Sequence, residues 1–247
     1  MTTPTSAASI SLSGKVAIVT GASSGIGHAT ALALARHGVH LVVTARRAER
    51  LITLCSQIQS AGGRCIFHAG DAANEQIAKH TVQLAISTFG RLDILINNAG
   101  TGNYKNLVDT SALEYDQLMD ANMKSSFLFS RYAVPHMIAQ KSGVLLFISS
   151  IAGLQGAAGE AVYCASKFAQ VGFSQALDAE LRKHNINVGV LCPGGTKTEF
   201  ALGKGRTEES VRSSHMMDSA DVANAILFAC TQPPNTRIPQ MIVRHMG

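Results

Sequence analysis

Short runs of apolar and β-branched residues alternate with longer segments of helical periodicity along almost the whole chain. Nearly every position in these runs is apolar, so each run predicts a strand that is covered on both faces. Such strands, separated by helices, indicate a parallel sheet with helices on both sides. The predicted strands are Val16–Thr20, Leu41–Thr44, Cys65–His68, Ile94–Ile96, Val144–Ile148, Asn187–Leu191 and Gln240–Val243.

The segments between the strands predict helices within a single α/β domain. No linker, repeat or low-complexity stretch divides the 247 residues, and right-handed crossovers would wind them into a doubly wound sheet of about seven strands. Residues 1–12 lack the basic and apolar regions of a signal peptide and are expected to be a flexible tail before the domain at 13–247. The predicted helices are Ile26–His37, Glu49–Ser60, Glu75–Phe89, Ala112–Gln140, Ala161–His184 and Ser219–Thr231.

Composition and charge exclude several classes of function. Hydrophobic residues make up 46% of the chain and charged residues 15%, which is typical of a globular protein. No apolar run reaches the ~18–20 residues of a membrane-spanning helix, and the net charge of +5 comes from scattered basic residues. Binding to membranes or nucleic acid is therefore not expected. The five cysteines have neither CxxC nor metal-ligand spacing, which favours reduced thiols in a cytoplasmic protein without a metal site.

A glycine-rich loop, residues 20–27, directly follows the first predicted strand. Gly21, Gly25 and Gly27 stand in the sequence TGASSGIG, which leads into the first predicted helix. Glycines at such a turn let the backbone approach a pyrophosphate, and the helix N-terminus attracts its charge. The spacing is GxxxGxG rather than GxGxxG, but the strand–loop–helix order is what a dinucleotide site requires. We therefore predict that this glycine loop binds a dinucleotide.

The end of the second predicted strand indicates which dinucleotide. NAD-selective sites place an acidic residue there to bind the ribose hydroxyls, whereas this chain has Ala45 followed by Arg46 and Arg47. Because a guanidinium binds phosphate bidentately, NADP(H) is favoured over NAD(H). Arg46 is the expected principal contact of the 2′-phosphate and Arg47 a weaker one, unless both are surface arginines at a helix start. Asp71, after the third strand, could bind the adenine amino group or equally cap the next helix.

Ser150, Tyr163 and Lys167 form a candidate proton-transfer group. Tyr163 and Lys167 are four residues apart in a predicted helix and project from one face. A free phenol has a pKa near ~10, and an adjacent ammonium favours the phenolate and lowers that pKa. Ser150, thirteen residues before Tyr163, can donate to a carbonyl oxygen. Ser149 is the alternative, but neighbours on a strand face opposite ways, and only one of the two serines can face the site.

The helix that carries Tyr163 also has a stripe of apolar and small residues on another face. Tyr163 and Lys167 lie off this stripe, so the pattern predicts that Tyr163 is not an ordinary buried tyrosine. Small residues in the stripe would let another element approach closely, and the sequence leaves open whether that element is the sheet or a second subunit. The stripe consists of Ala165, Phe168, Ala169, Gly172, Phe173, Ala176 and Leu177.

Together these motifs resemble the short-chain dehydrogenase/reductase family over nearly the whole chain. The glycine loop is similar to the family's TGxxxGxG, residues 97–100 match its NNAG, and Tyr163 and Lys167 match its YxxxK. Pro193-Gly194 matches the start of the family's nicotinamide-binding turn, with Thr198 downstream. The resemblance implies a Rossmann-type fold and an NADP(H)-dependent enzyme that acts on a carbonyl compound or secondary alcohol.

The resemblance also implies a role for each catalytic residue. Tyr163 would be the general acid in reduction and the base in oxidation, while Lys167 would lower its pKa and bind the nicotinamide ribose. Ser150 would polarise the substrate carbonyl. Asn122 would hold a water that relays protons towards Lys167, although it could instead cap or kink its helix. The implied cofactor-binding residues are Gly21, Ser23, Ser24, Gly25, Ile26, Gly27, Arg46, Arg47, Asp71, Asn98, Ala99, Gly100, Tyr163, Lys167, Pro193, Gly194, Thr196 and Thr198.

Substrate and assembly are less sharply indicated. The segment 199–215 is expected to form a short polar lid, which favours a small or polar carbonyl substrate. By family analogy the chain resembles NADP-dependent 3-hydroxy-acid dehydrogenases or carbonyl reductases, with a 3-oxoacyl-(acyl-carrier-protein) reductase as the alternative. A catalytically inactive NADP-binding sensor is a further alternative, which the presence of Ser150, Tyr163 and Lys167 disfavours. The resemblance implies a homodimer or homotetramer formed through the helices predicted at Ala112–Gln140 and Ala161–His184.

Overall fold

A computed structural model describes residues 11–246 and confirms the predicted Rossmann-type α/β fold. All strand pairs are parallel and form one sheet. The strands are β1 (Val16–Thr20), β2 (His40–Ala45), β3 (Cys65–Ala69), β4 (Ile94–Asn97), β5 (Gly143–Ile148), β6 (Ile186–Pro193) and β7 (Gln240–Val243). Their order in the sheet is β3-β2-β1-β4-β5-β6-β7.

Helices cover both faces of the sheet. They are α1 (Gly25–Arg36), α2 (Ala48–Ser60), α3 (Glu75–Phe89), α4 (Ala112–Met119), α5 (Ser125–Gln140), α6 (Ala161–Leu181), α7 (Glu208–Arg212) and α8 (Ser219–Cys230). Side chains alternate along each strand, so β1 supplies both cores. Ala17 and Val19 pack with α1, α2 and α8, whereas Val16 and Ile18 pack with α3, α5 and α6.

The sheet order determines where a ligand can bind. β1 lies between β2 and β4, so the chain leaves β1 in one direction through β2 and β3 and returns to its other side with β4. In open sheets of this kind the crevice at the carboxyl ends of the strands beside this reversal is the ligand site. The glycine loop follows β1 and residues 97–100 end and follow β4, so both lie at this crevice.

A buried carboxylate lies at the amino ends of the central strands, opposite the crevice. Asp93, just before β4, accepts hydrogen bonds from Arg91, from the Lys15 ammonium at 3.1 Å and from the backbone N–H of Val16 at 3.0 Å. Burial alone raises the pKa of a carboxyl group, but these donors outweigh it and hold the pKa of Asp93 below its usual range. The carboxylate thereby joins the starts of β1 and β4.

The long central helix and the start of the domain differ from the sequence-based expectation. The helix predicted over Ala112–Gln140 is interrupted by a π-helical turn at Asp120–Lys124, which separates α4 from α5 and has Asn122 at its centre. Inserted turns of this type often occur at functional sites. Leu12 is buried in the core, so the domain begins before residue 13. The rest of the predicted tail, residues 1–10, lies outside the described residues.

The sequence led us to expect that the cysteines are reduced thiols, but two of them form a disulfide. Cys55 in α2 and Cys65 at the start of β3 form a disulfide, with their Cα atoms 5.0 Å apart. Cys164, Cys192 and Cys230 are buried free thiols. Within residues 11–246, no helix is long and apolar enough to cross a membrane, and no group of three or more His, Cys, Asp or Glu side chains could hold a metal ion.

Candidate active site

Thr20 joins the glycine loop to the segment after β4. Its Oγ1 accepts hydrogen bonds from the backbone N–H groups of Asn98 at 3.0 Å and Ala99 at 2.9 Å. In return Asn98 Nδ2 donates to the Thr20 carbonyl at 2.8 Å. A Cβ added to Gly27 would lie 2.5 Å from both Asn98 Nδ2 and the Gly21 carbonyl oxygen, so only glycine fits there. The two loops therefore form one packed wall of the crevice.

The N-terminus of α1 opens into this crevice with free backbone donors. Its N-cap residue, Ser24, makes no side-chain capping bond to the helix. Gly25 has a φ of +56° and packs so closely on Thr198 that a Cβ would lie 2.9 Å from Thr198 Cγ2. Uncapped N–H groups and the helix dipole attract an anion. This end of α1 fits the pyrophosphate of a dinucleotide.

Arg47, rather than Arg46, lies against the glycine loop. The Arg47 guanidinium donates to Ser23 Oγ at 3.0 and 3.2 Å and to Ser24 Oγ at 2.8 Å. Arg47 Nη1 also contacts Glu199 at 2.8 Å, and Glu199 binds Arg50 at 2.7 Å. Arg46 is exposed. The two arginines therefore differ in placement, and which of them contacts a 2′-phosphate stays a prediction.

A cavity of about 230 Å³ lies at the carboxyl ends of the central strands. It brings together the glycine loop, the end of β5, the start of α6 and the turn after β6. Gly27 and Ala99 lie behind its wall, and Asp71 is not part of it. The predicted site residues that line it are Gly21, Ser24, Gly25, Ile26, Asn98, Gly100, Ser150, Tyr163, Lys167, Pro193, Gly194, Thr196 and Thr198.

Of the two adjacent serines, Ser150 faces Tyr163. Its hydroxyl is hydrogen-bonded to the Tyr163 side chain and accepts from the backbone N–H of Ala152 at 3.1 Å. Ser149 points the other way and donates to the Lys167 carbonyl oxygen at 3.0 Å. The alternation of side chains at the end of β5 therefore directs only Ser150 towards the phenol.

Burial controls the protonation of Tyr163. Removal from water raises the pKa of its phenol above the usual range, and the hydrogen bond from Ser150 is the largest contribution that opposes this. Lys167 Nζ lies 5.9 Å from the centre of the Tyr163 ring. The lowered pKa that we expected from Lys167 is therefore not what the structure shows. A phenol with a raised pKa carries its proton at neutral pH.

Lys167 is buried without an anionic partner among the described residues. Its Nζ donates to the Ile148 carbonyl at 3.0 Å and to Gln170 Oε1 at 2.9 Å. Burial lowers the pKa of Lys167 to about 7. A group with that pKa exchanges its proton readily at neutral pH.

All polar atoms of Asn122 are bonded to other protein groups. Oδ1 accepts from the Thr101 N–H at 2.7 Å, and Nδ2 donates to the Thr101 carbonyl at 3.0 Å and to Ser166 Oγ at 2.8 Å. The Asn122 carbonyl oxygen accepts from Ser126 Oγ at 3.0 Å and from Gln170 Nε2 at 2.9 Å. The Asn122 carbonyl therefore has two protein donors, and the water that Asn122 would hold stays a prediction.

Aromatic rings from outside the motifs form the outer wall around Tyr163. The Tyr104 ring meets Tyr163 edge-on with centroids 6.0 Å apart, and the Phe200 ring lies 5.8 Å away. The Arg206 guanidinium stacks over both Tyr104 and Phe200, at 5.5 and 5.7 Å. Glu160 lines the same cavity. The lid at 199–215 thus contributes one aromatic and one cationic group to the space above Tyr163.

The alternative role of Asp71 as a helix cap is wrong. Asn74 caps α3, since its Oδ1 accepts from the backbone N–H groups of Gln76 and Ile77. Asp71 instead closes a turn by accepting from Ala73 at 2.9 Å. Its contact with adenine stays a prediction.

Sequence reasoning missed several residues of the site. Gln170 is one helical turn beyond Lys167, so its spacing in α6 could have identified it. Tyr104, Glu199 and Arg206 follow no motif and reach the site only because their loops fold over it.

Comparison with known proteins agrees with the fold. The family model described as short chain dehydrogenase matches residues 15–209. An uncharacterized oxidoreductase of Thermotoga maritima is 38% identical over 229 residues, covering 87% of this chain and 90% of the relative.

Two solved structures contain nicotinamide cofactors. A metagenomic short-chain oxidoreductase in complex with NADP is 33% identical with a TM-score of 0.84, covering 96% of this chain and all of the other. A short-chain dehydrogenase/reductase of Burkholderia phymatum in complex with NAD is 26% identical with a TM-score of 0.87, covering 94% of this chain and 90% of the other. With the matched family model and these relatives, the chain belongs to the short-chain dehydrogenase/reductase family of oxidoreductases.

Proposed function

We propose that this protein transfers hydride between NADP(H) and a small carbonyl compound or the corresponding secondary alcohol, with Tyr163 as general acid and base. The observation that carries the proposal is that Ser150, Tyr163 and Lys167 line the same cavity as the α1 N-terminus. Lys167 lies beside them with two of its three donors used.

The roles follow from what each group can donate. Ser150 hydrogen-bonds the substrate oxygen and holds it near the phenol. Tyr163 donates its proton to that oxygen in reduction and takes it back in oxidation, an effect usually worth ~10²–10⁴ in rate. The remaining donor of Lys167 binds the ribose of the cofactor. The nicotinamide itself supplies or accepts the hydride.

The residues present fit a dinucleotide. The tight packing at Gly27 keeps the glycine loop free of side chains, and the uncapped α1 offers donors to a pyrophosphate. At the end of β2, Ala45 leaves room where an acidic residue would repel a phosphate. These features support a phosphorylated cofactor.

Arg47 is the better candidate for binding the 2′-phosphate. It already contacts the hydroxyls of Ser23 and Ser24, which can bind the same phosphate. If so, Arg47→Ala weakens NADPH binding much more than NADH binding, while Arg46→Ala has a smaller effect on the ratio. The proposed preference for NADP(H) would be overturned if both variants had the same ratio of NADPH to NADH affinity as the wild type.

The cavity supports a small substrate with an acidic group. The Arg206 guanidinium lines the same cavity as Ser150 and Tyr163 and lies over the Tyr104 and Phe200 rings. An oxo acid could place its carboxylate on Arg206 and its carbonyl on Ser150. Pairs of oxo acids and their methyl esters test this directly, because Arg206→Met should raise KM for the acid and leave the ester nearly unchanged.

The whole proposal is tested with a panel of aldehydes, ketones and oxo acids, whose turnover is monitored through the absorbance of NADPH. Tyr163→Phe should abolish turnover and retain NADPH binding, and Ser150→Ala should lose far more activity than the matched Ser149→Ala. NADPH binding without turnover of any carbonyl would instead indicate a sensor.

We further propose a homodimer or homotetramer that buries the exposed face of α5 and α6. Phe127 and Phe168 are 42% and 46% exposed, and a Cβ on Gly172 would meet no atom within 4 Å. The exposed part of the stripe, which includes Phe168 and Gly172, is therefore open to a second subunit. Light scattering of wild type and Phe168→Asp tests this, since the variant should shift towards monomer.

A further inference from the structure

Gln170 is buried between Lys167 and Asn122, the two residues through which a proton relay to solvent would pass. It lies in α6, one turn after Lys167, and is fully buried. Its Oε1 accepts from Lys167 Nζ at 2.9 Å. Its Nε2 donates to the Asn122 carbonyl and to Ser126 Oγ, both at 2.9 Å. The contacts fix the orientation of the amide, because only an acceptor can face the ammonium and only a donor can face the carbonyl.

This bridge ties Asn122 to Lys167. The Asn122 carbonyl oxygen, in the π-turn, receives hydrogen bonds from both Gln170 and Ser126. A glutamine amide holds a lysine firmly, but unlike a water it does not pass on protons readily. The α5 side of Lys167 is therefore closed by protein.

We propose that Gln170 is a positioning residue, which joins the Lys167 ammonium through its amide to the Asn122 carbonyl and helps to hold Lys167 in its charged form. This inference rests on the proposed function, in which Lys167 serves the reaction. The bridge makes the ammonium depend on two neutral acceptors, the Ile148 carbonyl and Gln170.

Among the groups around Lys167, Gln170 is the main hydrogen-bond partner that a substitution can change. Tyr163 faces it from α6 and Cys192 from β6, while Glu160 and Arg206 act on Tyr163 rather than on Lys167. No ion pair involves Lys167 within residues 11–246. Removing the Gln170 acceptor should therefore make the charged form of Lys167 harder to maintain.

The titration of Lys167 can be measured in the purified protein without cofactor or substrate. Protein labelled with ¹³C-lysine should show one Cε resonance that titrates far below the ~10.4 of an ordinary lysine, and its absence in Lys167→Arg assigns it. Gln170→Met keeps the length of the side chain and should lower the midpoint by about one to two pH units. Gln170→Glu should raise it, because a carboxylate favours the ammonium.

Ser126→Ala is the matched control. It removes the other partner of Gln170 Nε2 in the same buried cluster and should leave the lysine midpoint within a few tenths of a pH unit. A purely structural role of Gln170 would not move the midpoint in opposite directions in the Met and Glu variants. The bridge is refuted if Gln170→Met leaves the midpoint unchanged, and equally if Ser126→Ala moves it as far.

The experiment remains decisive if one variant does not fold, and it tests the bridge separately from the proposed function. If Gln170→Met does not fold, as judged by circular dichroism, the lysine midpoint of Gln170→Glu alone decides. The proposal is then overturned if that midpoint does not rise. Because the titration needs neither NADPH nor a carbonyl, it separates the two claims. Unshifted midpoints in an active enzyme overturn only the bridge, whereas shifted midpoints in a protein that never binds NADPH overturn only the proposed function.

Discussion

Glu199 is expected to weaken the binding of a phosphorylated cofactor, and its neutralisation should therefore increase the preference for NADPH. The carboxylate contacts Arg47 at 2.8 Å and Arg50 at 2.7 Å, and Arg47 is the arginine that lies on the glycine loop. A 2′-phosphate bound by Arg47 would have to share it with Glu199. Glu199→Gln removes the negative charge and keeps the shape of the side chain.

The magnitude follows from the geometry. Two unit charges about 4 Å apart in water interact by about 1 kcal/mol, and a phosphate monoester carries roughly −1.5 to −2 charges at neutral pH. Glu199 is 46% exposed, so solvent and salt reduce the repulsion. A net gain of about 1 kcal/mol for NADPH corresponds to about a five-fold lower Kd. NADH, which lacks the phosphate, should bind the variant and wild type alike.

Titration of cofactor fluorescence at low and at high salt measures both effects. The gain for NADPH should be largest at low ionic strength and shrink as salt screens the charges. Glu208→Gln makes the same change of charge on the same lid, at an exposed residue, and is the matched control. If Glu199→Gln leaves the ratio of the two Kd values unchanged, or if Glu208→Gln changes it equally, Arg47 is not the phosphate contact.

The remaining predictions concern stability and thiol content. The pKa of Asp93 is held below that of the unfolded chain, so its stabilisation is present above about pH 4 and is lost as the pH falls through the folded-state pKa. Asp93→Asn should therefore lower the free energy of unfolding by about 2 kcal/mol at pH 7 and by much less near pH 2, as measured by urea denaturation. Thiol titration of the unfolded, unreduced protein should detect Cys164, Cys192 and Cys230 only, whereas Cys55→Ser should add one reactive thiol; five thiols in wild type would contradict the disulfide.

Much of the fold was predictable because burial leaves a direct record in the sequence. All seven predicted strands are present, including Gln240–Val243 with the same bounds. A parallel strand covered on both faces must be apolar throughout, and few other structures require that pattern. The residues around the cavity were predictable for a related reason, since the carboxyl ends of such strands meet at one edge of the sheet.

The orientation of α6 was not predictable in this way. The sequence left open whether its apolar and small stripe packs on the sheet or on a second subunit, and the structure divides the stripe. Phe168 is exposed, whereas Phe173 packs against the core. Periodicity shows that a helix has an apolar face but does not show whether that face packs on its own sheet or on another subunit. The face that meets the sheet combines apolar side chains such as Val171 with buried polar side chains that hydrogen-bond to one another, Gln170 among them.

The sequence by itself determined the parallel sheet, the glycine loop and the three groups that can move a proton. Each depends on a local pattern: apolar runs, glycines at a turn, or two side chains one helical turn apart. Only the tertiary structure decided that Arg47 lies on the glycine loop, that the Asn122 carbonyl is hydrogen-bonded to Gln170, and that burial rather than Lys167 sets the protonation of Tyr163. These facts depend on distances between segments far apart in the chain, and hydrogen bonding and desolvation act through such distances rather than through spacing in the sequence.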